Sequence, residues 1–214
     1  MFLNSWWWRC GGALLLRLAV GLGLPGVVQA AAVTVQTLDP AGKPLAGAVV
    51  AVEVGSVARV AKVAAPGTRA EISQRQRAFD PGLLVVQTGT SVDFPNLDTV
   101  RHHVYSFSPA RTFELKLYNG RPSTPVVFDR AGVVVLGCNI HDQMVGTVVV
   151  VDTPLFGRTD AAGRVVLEVP AGEHRLLTWH ARMREGTDLL AQALKVGVAG
   201  AVAVAVKLPV VAAP

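Results

Sequence analysis

The chain has 214 residues, enough for one large domain or two small ones, and 51% of them are hydrophobic while only 6% are aromatic. Val, Ala and Leu predominate in short runs broken by Gly, Pro, Asn or Asp, which is typical of an all-β protein with many turns. The formal net charge of +5 is too small to indicate a nucleic-acid partner, and no basic patch carries interleaved aromatic residues.

The first 30 residues predict a cleaved signal peptide. Arg9 supplies the positive start, residues 13–24 form an apolar core, and Val28 and Ala30 fit the small-residue cleavage pattern, so we place the cut after Ala30. The core is shorter than the roughly 20 residues that a spanning helix needs. We therefore expect a periplasmic protein with no membrane span in the mature chain. An uncleaved anchor with Trp6–Trp8 at the membrane interface is the alternative.

Cleavage would change both the charge and the cysteine content. The segment contains Arg9 and Arg17 and no acidic residue, so the formal net charge falls from +5 to +3. Cys10 also leaves, and Cys138 remains as the single cysteine of the mature chain. In an oxidising compartment, where cysteines usually pair, a lone cysteine is accidental, intermolecular or used for chemistry.

The predicted elements begin with a strand at residues 33–38, a turn at 39–44 and a second strand at 45–54. The polar stretch 69–80 is interpreted as a linker or a short irregular segment. Seven strands then follow at regular spacing, at residues 83–87, 91–95, 103–108, 112–117, 125–128, 133–138 and 146–151. This spacing, with turn signals between the strands, predicts a sandwich or barrel.

Beyond residue 152 short apolar runs again alternate with turn residues. We predict a turn at 158–164, strands at 165–169 and 173–180, and one or two buried strands at 196–207. His174 and His180 are interpreted as ordinary surface or turn residues, and Trp179 as a core residue.

The most informative segment is the loop from Cys138 through His141 to Met144, directly after the strand predicted at 133–138. Thiolate, imidazole and thioether are soft ligands that suit copper. A blue-copper site needs two His and one Cys in a trigonal plane, with a weak axial Met. The second His must come from another strand, and both His102 and His103 stand near the start of one. Strand parity favours His103, because it would share a face with Tyr105 and Phe107.

The paired motifs resemble the cupredoxin family of plastocyanins, pseudoazurins and amicyanins. The ligand loop is Cys-x-x-His-x-x-Met here, the strand before it starts at Gly132, and residues 144–148 look like the family's closing strand. The resemblance assigns the first ligand to His102, six residues after Asn96. The chain departs from the family where Arg101 and Ile140 replace prolines and His103 replaces an asparagine.

This resemblance implies an all-β, cupredoxin Greek-key β-sandwich that holds one type 1 copper through His102, Cys138, His141 and Met144. It implies an electron carrier, not an enzyme, with a c-type cytochrome or a quinoprotein dehydrogenase as partner. Some proteins that look like this one are labelled methylamine utilization proteins. A copper carrier or sensor without an electron-transfer role is the alternative. The absence of a His-x-His pair argues against a multicopper oxidase.

Other interpretations of the loop remain open. Cys138 could be a buried small hydrophobic residue, a zinc ligand or a nucleophile with a His base. Met144 could belong to the core, in which case Gln143 is a candidate axial ligand. Asn96 and Asp98 are expected to build the turn before His102, because Asx side chains bond their own backbone in such turns.

The residues outside the cupredoxin-like stretch resemble a second family. The turn at 39–45 with the following 46–49, and later the segments 159–164 and 170–176, look like the two parts of a carboxypeptidase regulatory-like, transthyretin-type sandwich. We therefore expect a second, smaller β-sandwich with the cupredoxin domain inserted in it. Two unrelated extensions packed on one core are the alternative. The expected division is a signal peptide at 1–30, the first part of the second sandwich at 31–64, the cupredoxin domain at 65–152, and the second part at 153–214.

Overall fold

The computed structural model describes residues 30–55, 61–184, 186 and 188–212, and these residues contain strands, turns and bends but no helix. The predicted all-β sandwich class is confirmed. Within the described part of the chain, no helix is long and apolar enough to span a bilayer. The signal-peptide prediction lies outside the described residues, apart from Ala30, which already belongs to the first strand.

Seventeen strands follow one another along the described chain. They are β1 Ala30–Leu38, β2 Val49–Val54, β3 Arg69–Glu71, β4 Ser73–Arg75, β5 Ala78–Asp80, β6 Leu83–Gln87, β7 Thr90–Asp93, β8 His102–Ser108, β9 Arg111–Tyr118, β10 Val126–Phe128, β11 Gly132–Gly137, β12 Val145–Val151, β13 Phe156–Arg158, β14 Arg164–Pro170, β15 Gly172–Trp179, β16 Leu190–Val196 and β17 Val202–Lys207.

The first two and the last five strands form two sheets, which we call the terminal sandwich. One sheet has the order β14-β1-β17 and the other the order β13-β2-β15-β16. In the first sheet β1 runs antiparallel to β14 and parallel to β17. Every strand pairing of β1 and β2 is therefore with strands that lie more than a hundred residues later in the chain.

Strands β3 to β12 form a second pair of sheets, which we call the central sandwich. Its five-stranded sheet has the order β6-β12-β11-β8-β9, and its three-stranded sheet has the order β10-β7-β3. A short hairpin, β4–β5, completes it. The chain enters this sandwich after β2 and leaves it before β13, so both connections lie at the same end of β2, where Thr153 Oγ1 donates to Val52 O at 2.7 Å.

Each sandwich has its own hydrophobic core, and β12 contributes to both. Val148 and Val150 belong to the core of the central sandwich, whereas Val149 and Val151 belong to the core of the terminal sandwich. Leu83 and Val133 on the neighbouring strands also pack against the terminal core. The five-stranded sheet is therefore covered on both faces along β6, β12 and the start of β11, which explains their nearly continuous apolar sequence.

The predicted strands from residue 83 to 151 agree with the observed ones to within about two residues, and β6 agrees at both ends. Outside this stretch the strands predicted at 165–169 and 173–180 agree with β14 and β15 to within one residue, β1 begins three residues earlier than predicted, and other bounds were wrong. The second strand begins at Val49 and not at residue 45, because residues 46–47 form a turn in which Gly47 has a φ of +78°. Strand β13 was missed, and the one or two buried strands predicted at 196–207 are only partly observed. The run contains the last residue of β16, a bend, and β17, of whose residues only Val206 is buried.

The interpretation of residues 69–80 as a linker was wrong, because this stretch holds β3 and the β4–β5 hairpin. The hairpin turn consists of Gln76 and Arg77, both with left-handed backbone conformations at φ of 52° and 58°. Two-residue turns of this kind favour Asn-Gly or Asp-Gly, so the residues that would have signalled a hairpin are absent.

The two histidines of the terminal sandwich were predicted as surface or turn residues, but both are buried, although His180 does begin the turn at 180–183, where Met183 N–H donates to His180 O. His174 is buried in β15, where Nδ1 accepts from Gly55 N at 3.2 Å and Nε2 lies 2.7 Å from Pro170 O. His180 is buried, and it is described further below. Trp179 is buried in the terminal core, as predicted.

Candidate metal centre

The loop after β11 carries three of the four predicted ligands. The strand ends at Gly137, and Cys138 follows with its side chain turned into the central core, where only 3% of the residue is exposed. A tight turn then closes with Met144 N–H donating to His141 O at 2.9 Å. This turn returns the chain to β12 and buries Met144, which is 1% exposed and belongs to the same apolar cluster as Cys138.

His102 reaches the same place from β8. It is the first residue of that strand and is fully buried. The pairing of β8 with β9 is irregular between His102 and Val104, but the alternation of faces persists, since His102, Val104 and Ser106 are all fully buried. His102 faces the central core together with Val104, and its Nδ1 lies 3.8 Å from Cys138 Sγ.

His102, Cys138 and His141 form one compact group of metal-binding side chains. Their ligand atoms all lie within 4.8 Å of one another, with His141 Nδ1 at 3.9 Å from Cys138 Sγ. The two imidazole rings have their centroids 5.0 Å apart. Cys138 is a free cysteine. Two imidazoles and one thiol at these separations fit a copper ion, since soft sulfur and imidazole ligands are those that copper selects. Met144 follows in the same loop, where a thioether could complete the set.

His103 lies in a different environment. Its Nε2 is 3.0 Å from Glu114 Oε1, although without the angles of a hydrogen bond, and its ring packs edge-on against Tyr105 at 5.7 Å. Tyr105 in turn contacts Phe107, which is exposed. The parity argument correctly groups these three residues on one face, but that face is the outer side of the sheet, away from Cys138.

Asp98 holds the other nitrogen of the His102 ring, an interaction that the sequence interpretation missed. Asp98 Oδ2 lies 2.7 Å from His102 Nε2. The same carboxylate accepts the Gln76 N–H at 2.6 Å and the Arg77 N–H at 2.9 Å. Burial alone would raise the pKa of Asp98, but these hydrogen bonds from Arg77, His102 and Gln76 outweigh it and hold the pKa below its usual value. Asp98 is therefore ionised and accepts from three donors.

Asn96 shapes the loop that carries Asp98. Its Oδ1 accepts the Asp98 N–H at 3.0 Å, and its Nδ2 donates to Val100 O and Tyr118 O, both at 2.8 Å. The expectation that Asn96 builds this turn agrees with these bonds. The same expectation for Asp98 was wrong, because its side chain reaches across to the β4–β5 turn and to His102. The spacing Asp-x-x-x-His was the available signal, although it is too common to identify such a pair.

A polar cluster lies behind the ligands. Tyr118 donates its hydroxyl proton to Phe94 O at 2.6 Å, and Gln74 Nε2 contacts the same hydroxyl. Burial raises the pKa of Tyr118 to about 12, with a smaller lowering by the Gln74 hydrogen bond and a smaller raising by Cys138. The phenol thus remains neutral at all ordinary pH values and adds no charge beside the thiol.

No protein-family model matches this sequence, and a comparison with curated proteins gives no match. Comparison with solved structures finds similar chains. A purple cupredoxin from Nitrosopumilus maritimus is 25% identical over 39% of this chain and 98% of its own, with a TM-score of 0.33. A mutant amicyanin in the reduced state is 22% identical over 47% of this chain and 98% of its own, with a TM-score of 0.35. A copper-containing nitrite reductase from Thermus scotoductus is 22% identical over 46% of this chain and 25% of its own, with a TM-score of 0.37.

Proposed function

We propose that this protein is a type 1 copper protein that carries single electrons, with His102, Cys138, His141 and Met144 as the ligands of one copper ion. The observation that carries the proposal is the cluster of two imidazole nitrogens and one thiol whose ligand atoms lie within 4.8 Å of one another. A copper ion held there would supply one-electron chemistry by alternating between Cu(I) and Cu(II).

The residues of the chain would keep this geometry nearly constant in both oxidation states. His102 is fully buried at the start of β8, and Cys138 follows β11 directly, so two paired strands of one sheet support the two ligands. His141 lies in the connecting turn and is only half buried. Ligands on paired strands move little, which lowers the reorganisation that each electron transfer requires.

The absorption spectrum of the copper-loaded protein tests the proposal. We expect an intense visible band from thiolate-to-copper charge transfer, and we expect Cys138→Ser to abolish the band while the circular dichroism of the β-sheets persists. Asp142→Ala is the matched control, because Asp142 is an exposed residue of the same loop, and it should keep the band. A Cys138→Ser protein that retains the colour would exclude the proposal.

A redox titration separates an electron carrier from a copper carrier or sensor. The buried His102 and Cys138 support a retained ion, because a ligand set closed off from solvent releases its metal slowly. We expect reversible reduction and reoxidation without loss of copper to a Cu(I) chelator. Rapid transfer of Cu(I) to the chelator would instead assign the carrier or sensor function.

The partner and the compartment belong to the same proposal. The half-exposed His141 is the point at which electrons would enter and leave, and exposed apolar side chains lie beside it at Ile140 and Val145. An apolar surface of this kind supports brief docking of a redox protein, for which we propose a c-type cytochrome or a quinoprotein dehydrogenase. Both would meet the protein in the periplasm after cleavage near Ala30.

We also propose that the central sandwich is a domain inserted into the terminal one. The pairing of β1 with β14 and of β2 with β13 and β15 supports this arrangement, because strands from both ends of the chain share sheets. The boundaries at residues 64/65 and 152/153 remain a prediction. Limited proteolysis, with fragments identified by mass, would test the first boundary.

A further inference from the structure

Asp98 contacts a proposed ligand but is not itself close enough to the thiol to belong to the ligand cluster. We propose that Asp98 is a positioning residue for the metal centre, which fixes the His102 ring with Nδ1 as the free nitrogen and places a negative charge on its far side. This inference rests on the copper function proposed above, and it assigns to Asp98 a role in setting the reduction potential.

The hydrogen bonds of the carboxylate determine which nitrogen of His102 carries the proton. Gln76 N and Arg77 N already donate to Asp98 Oδ1 and Oδ2, so the carboxylate can only accept. The contact of 2.7 Å with His102 Nε2 therefore requires a proton on Nε2. The lone pair of a neutral ring then lies on Nδ1, the atom that faces Cys138 Sγ at 3.8 Å.

The β4–β5 turn holds Asp98 in place. Gln76 and Arg77 both have positive φ, so their successive N–H groups point to the same side and form a small anion-binding concavity. The Asp98 carboxylate accepts the two N–H groups of this concavity and also contacts His102 Nε2. The hairpin, the loop at 96–100 and the first residue of β8 are thereby joined through one carboxylate. Partners of this kind orient metal-binding histidines and strengthen their donation to the metal.

Two substitutions separate the two parts of the proposal. Asp98→Ala removes every acceptor, whereas Asp98→Asn retains one oxygen that can accept the Nε2 proton but loses the charge. Both are made in a Gln76→Asn/Arg77→Gly background, in which an Asn-Gly turn keeps the hairpin formed without the carboxylate. Any effect that persists in this background comes from His102 and not from a collapsed hairpin.

The first measurement uses the metal-free protein. The ¹⁵N chemical shifts of the imidazoles report the tautomer of each histidine. The parent is the Gln76→Asn/Arg77→Gly protein that carries Asp98. We expect His102 to be the Nε2–H tautomer in this parent and in Asp98→Asn, and a mixture of tautomers in Asp98→Ala. Unchanged His102 shifts in a folded Asp98→Ala protein would overturn the positioning role.

The second measurement is the reduction potential of the copper-loaded protein. Without the anionic partner His102 stabilises Cu(II) less, so Asp98→Asn should raise the potential. We expect at least a tenfold change in the relative affinity for the two oxidation states, which corresponds to about 59 mV for one electron. Asp142→Asn is the matched control, because it removes the same charge from an exposed position of the ligand loop. A shift in Asp98→Asn no larger than in this control would overturn the electrostatic role.

The two measurements also distinguish failure of this inference from failure of the proposed function. If the parent protein binds no copper or gives no visible band, the copper function fails, and the tautomer comparison still tests whether Asp98 positions His102. If the parent is coloured and the variants behave like the controls, the copper function stands and the role of Asp98 is excluded.

Discussion

His102 and His103 are adjacent in sequence and nearly equally buried, but they face opposite sides of the five-stranded sheet. His102 Nδ1 faces the thiol, whereas His103 packs against Tyr105 on the outer side. We therefore expect His102→Ala to lose the visible band of the copper protein and His103→Ala to keep it. Loss of the band in His103→Ala with retention in His102→Ala would reverse the assignment. The absorption spectrum at saturating copper measures the outcome.

Met144 is predicted to act as the weak axial ligand. Met144→Gln should leave copper bound, because two imidazoles and one thiolate supply most of the bonding. An amide oxygen is a harder donor than a thioether and favours Cu(II), so the reduction potential should fall, by about 59 mV for each tenfold change in relative affinity. If Met144 is only a core residue, the variant will lose thermal stability and keep its potential.

His180 gives the fold a pH dependence that is separate from the metal centre. Its Nδ1 accepts from Arg182 N at 3.0 Å and its Nε2 lies 3.1 Å from Ala46 O, so the neutral ring satisfies both groups. Burial lowers the pKa of His180, and Arg182 and Arg158 lower it further against the raising effect of Ala46 O. The unfolded chain therefore binds a proton at a higher pH than the folded chain does.

The sign of the effect on stability follows from this difference in protonation. As the pH falls through the unfolded value of about 6.5, the unfolded state gains protons that the folded state does not bind, so folding loses free energy. We expect the urea midpoint of the metal-free protein to fall between pH 7 and pH 5, and His180→Gln to reduce that slope. An identical slope in the variant would contradict this account.

At the scale of elements, the β4–β5 hairpin carries a measurable strain. Gln76 and Arg77 adopt left-handed conformations that cost L-residues roughly 1–2 kcal/mol each, and the Asp98 carboxylate offsets part of that cost. Gln76→Asn/Arg77→Gly should therefore stabilise the protein by about 1 kcal/mol, seen as a higher urea midpoint. Arg75→Gly, in the adjacent exposed strand position, is the control and should destabilise it. A lower midpoint in the double variant would show that the native side chains contribute more than the turn geometry.

The sequence predicts well those strands whose hydrophobic pattern and flanking turn residues indicate the same bounds. Strand β6 is the apolar run Leu83–Val86 followed by Gln87, with Gly82 before it and Gly89 soon after, and its bounds are predicted correctly. The segment at 69–80 fails because its strands are three residues long, polar, and joined by residues that rarely form such a turn. In this segment tertiary hydrogen bonds, such as those of Asp98, override local preference.

The candidate metal centre likewise contains some residues that the sequence predicts and others that it does not. The three residues of the loop after β11 could be predicted because their spacing is short and their chemistry is unusual. The choice between His102 and His103 could not be derived from strand parity, because parity groups residues by face and does not tell which face packs toward Cys138. Asp98 could not be assigned to His102 at all, because that contact depends on where the β4–β5 turn lies in space.

At the scale of the whole molecule, the two cores are expected to unfold together because β12 belongs to both. After signal cleavage Trp179 is the single tryptophan of the chain and reports on the terminal sandwich, while the copper band reports on the central sandwich. We expect both signals to be lost at the same denaturant concentration. Val149→Ala should lower both midpoints equally, by a free energy of about 2 kcal/mol, since it leaves a cavity under β12. Two separate transitions would show that the sandwiches are energetically independent.

The four consecutive valines Val148–Val151 also affect how β12 finds its register with the neighbouring strands. Alternation normally fixes register, because a slip of one residue would place polar side chains in a core. Here such a slip exchanges valine for valine at three of the four positions, so the polarity error is confined to one end of the run, where Thr147 or Asp152 would enter a core. The alignment is fixed further at Gly146, where an added Cβ would lie 3.0 Å from the Phe79 ring. A slip of one residue is a displacement of about 3.3 Å, close to the distance between neighbouring ligand atoms. A misaligned β12 would therefore keep most of its valine packing while displacing Met144 and the loop before it from His102, so a colourless fraction in a copper-loaded, folded preparation would be the sign of this error.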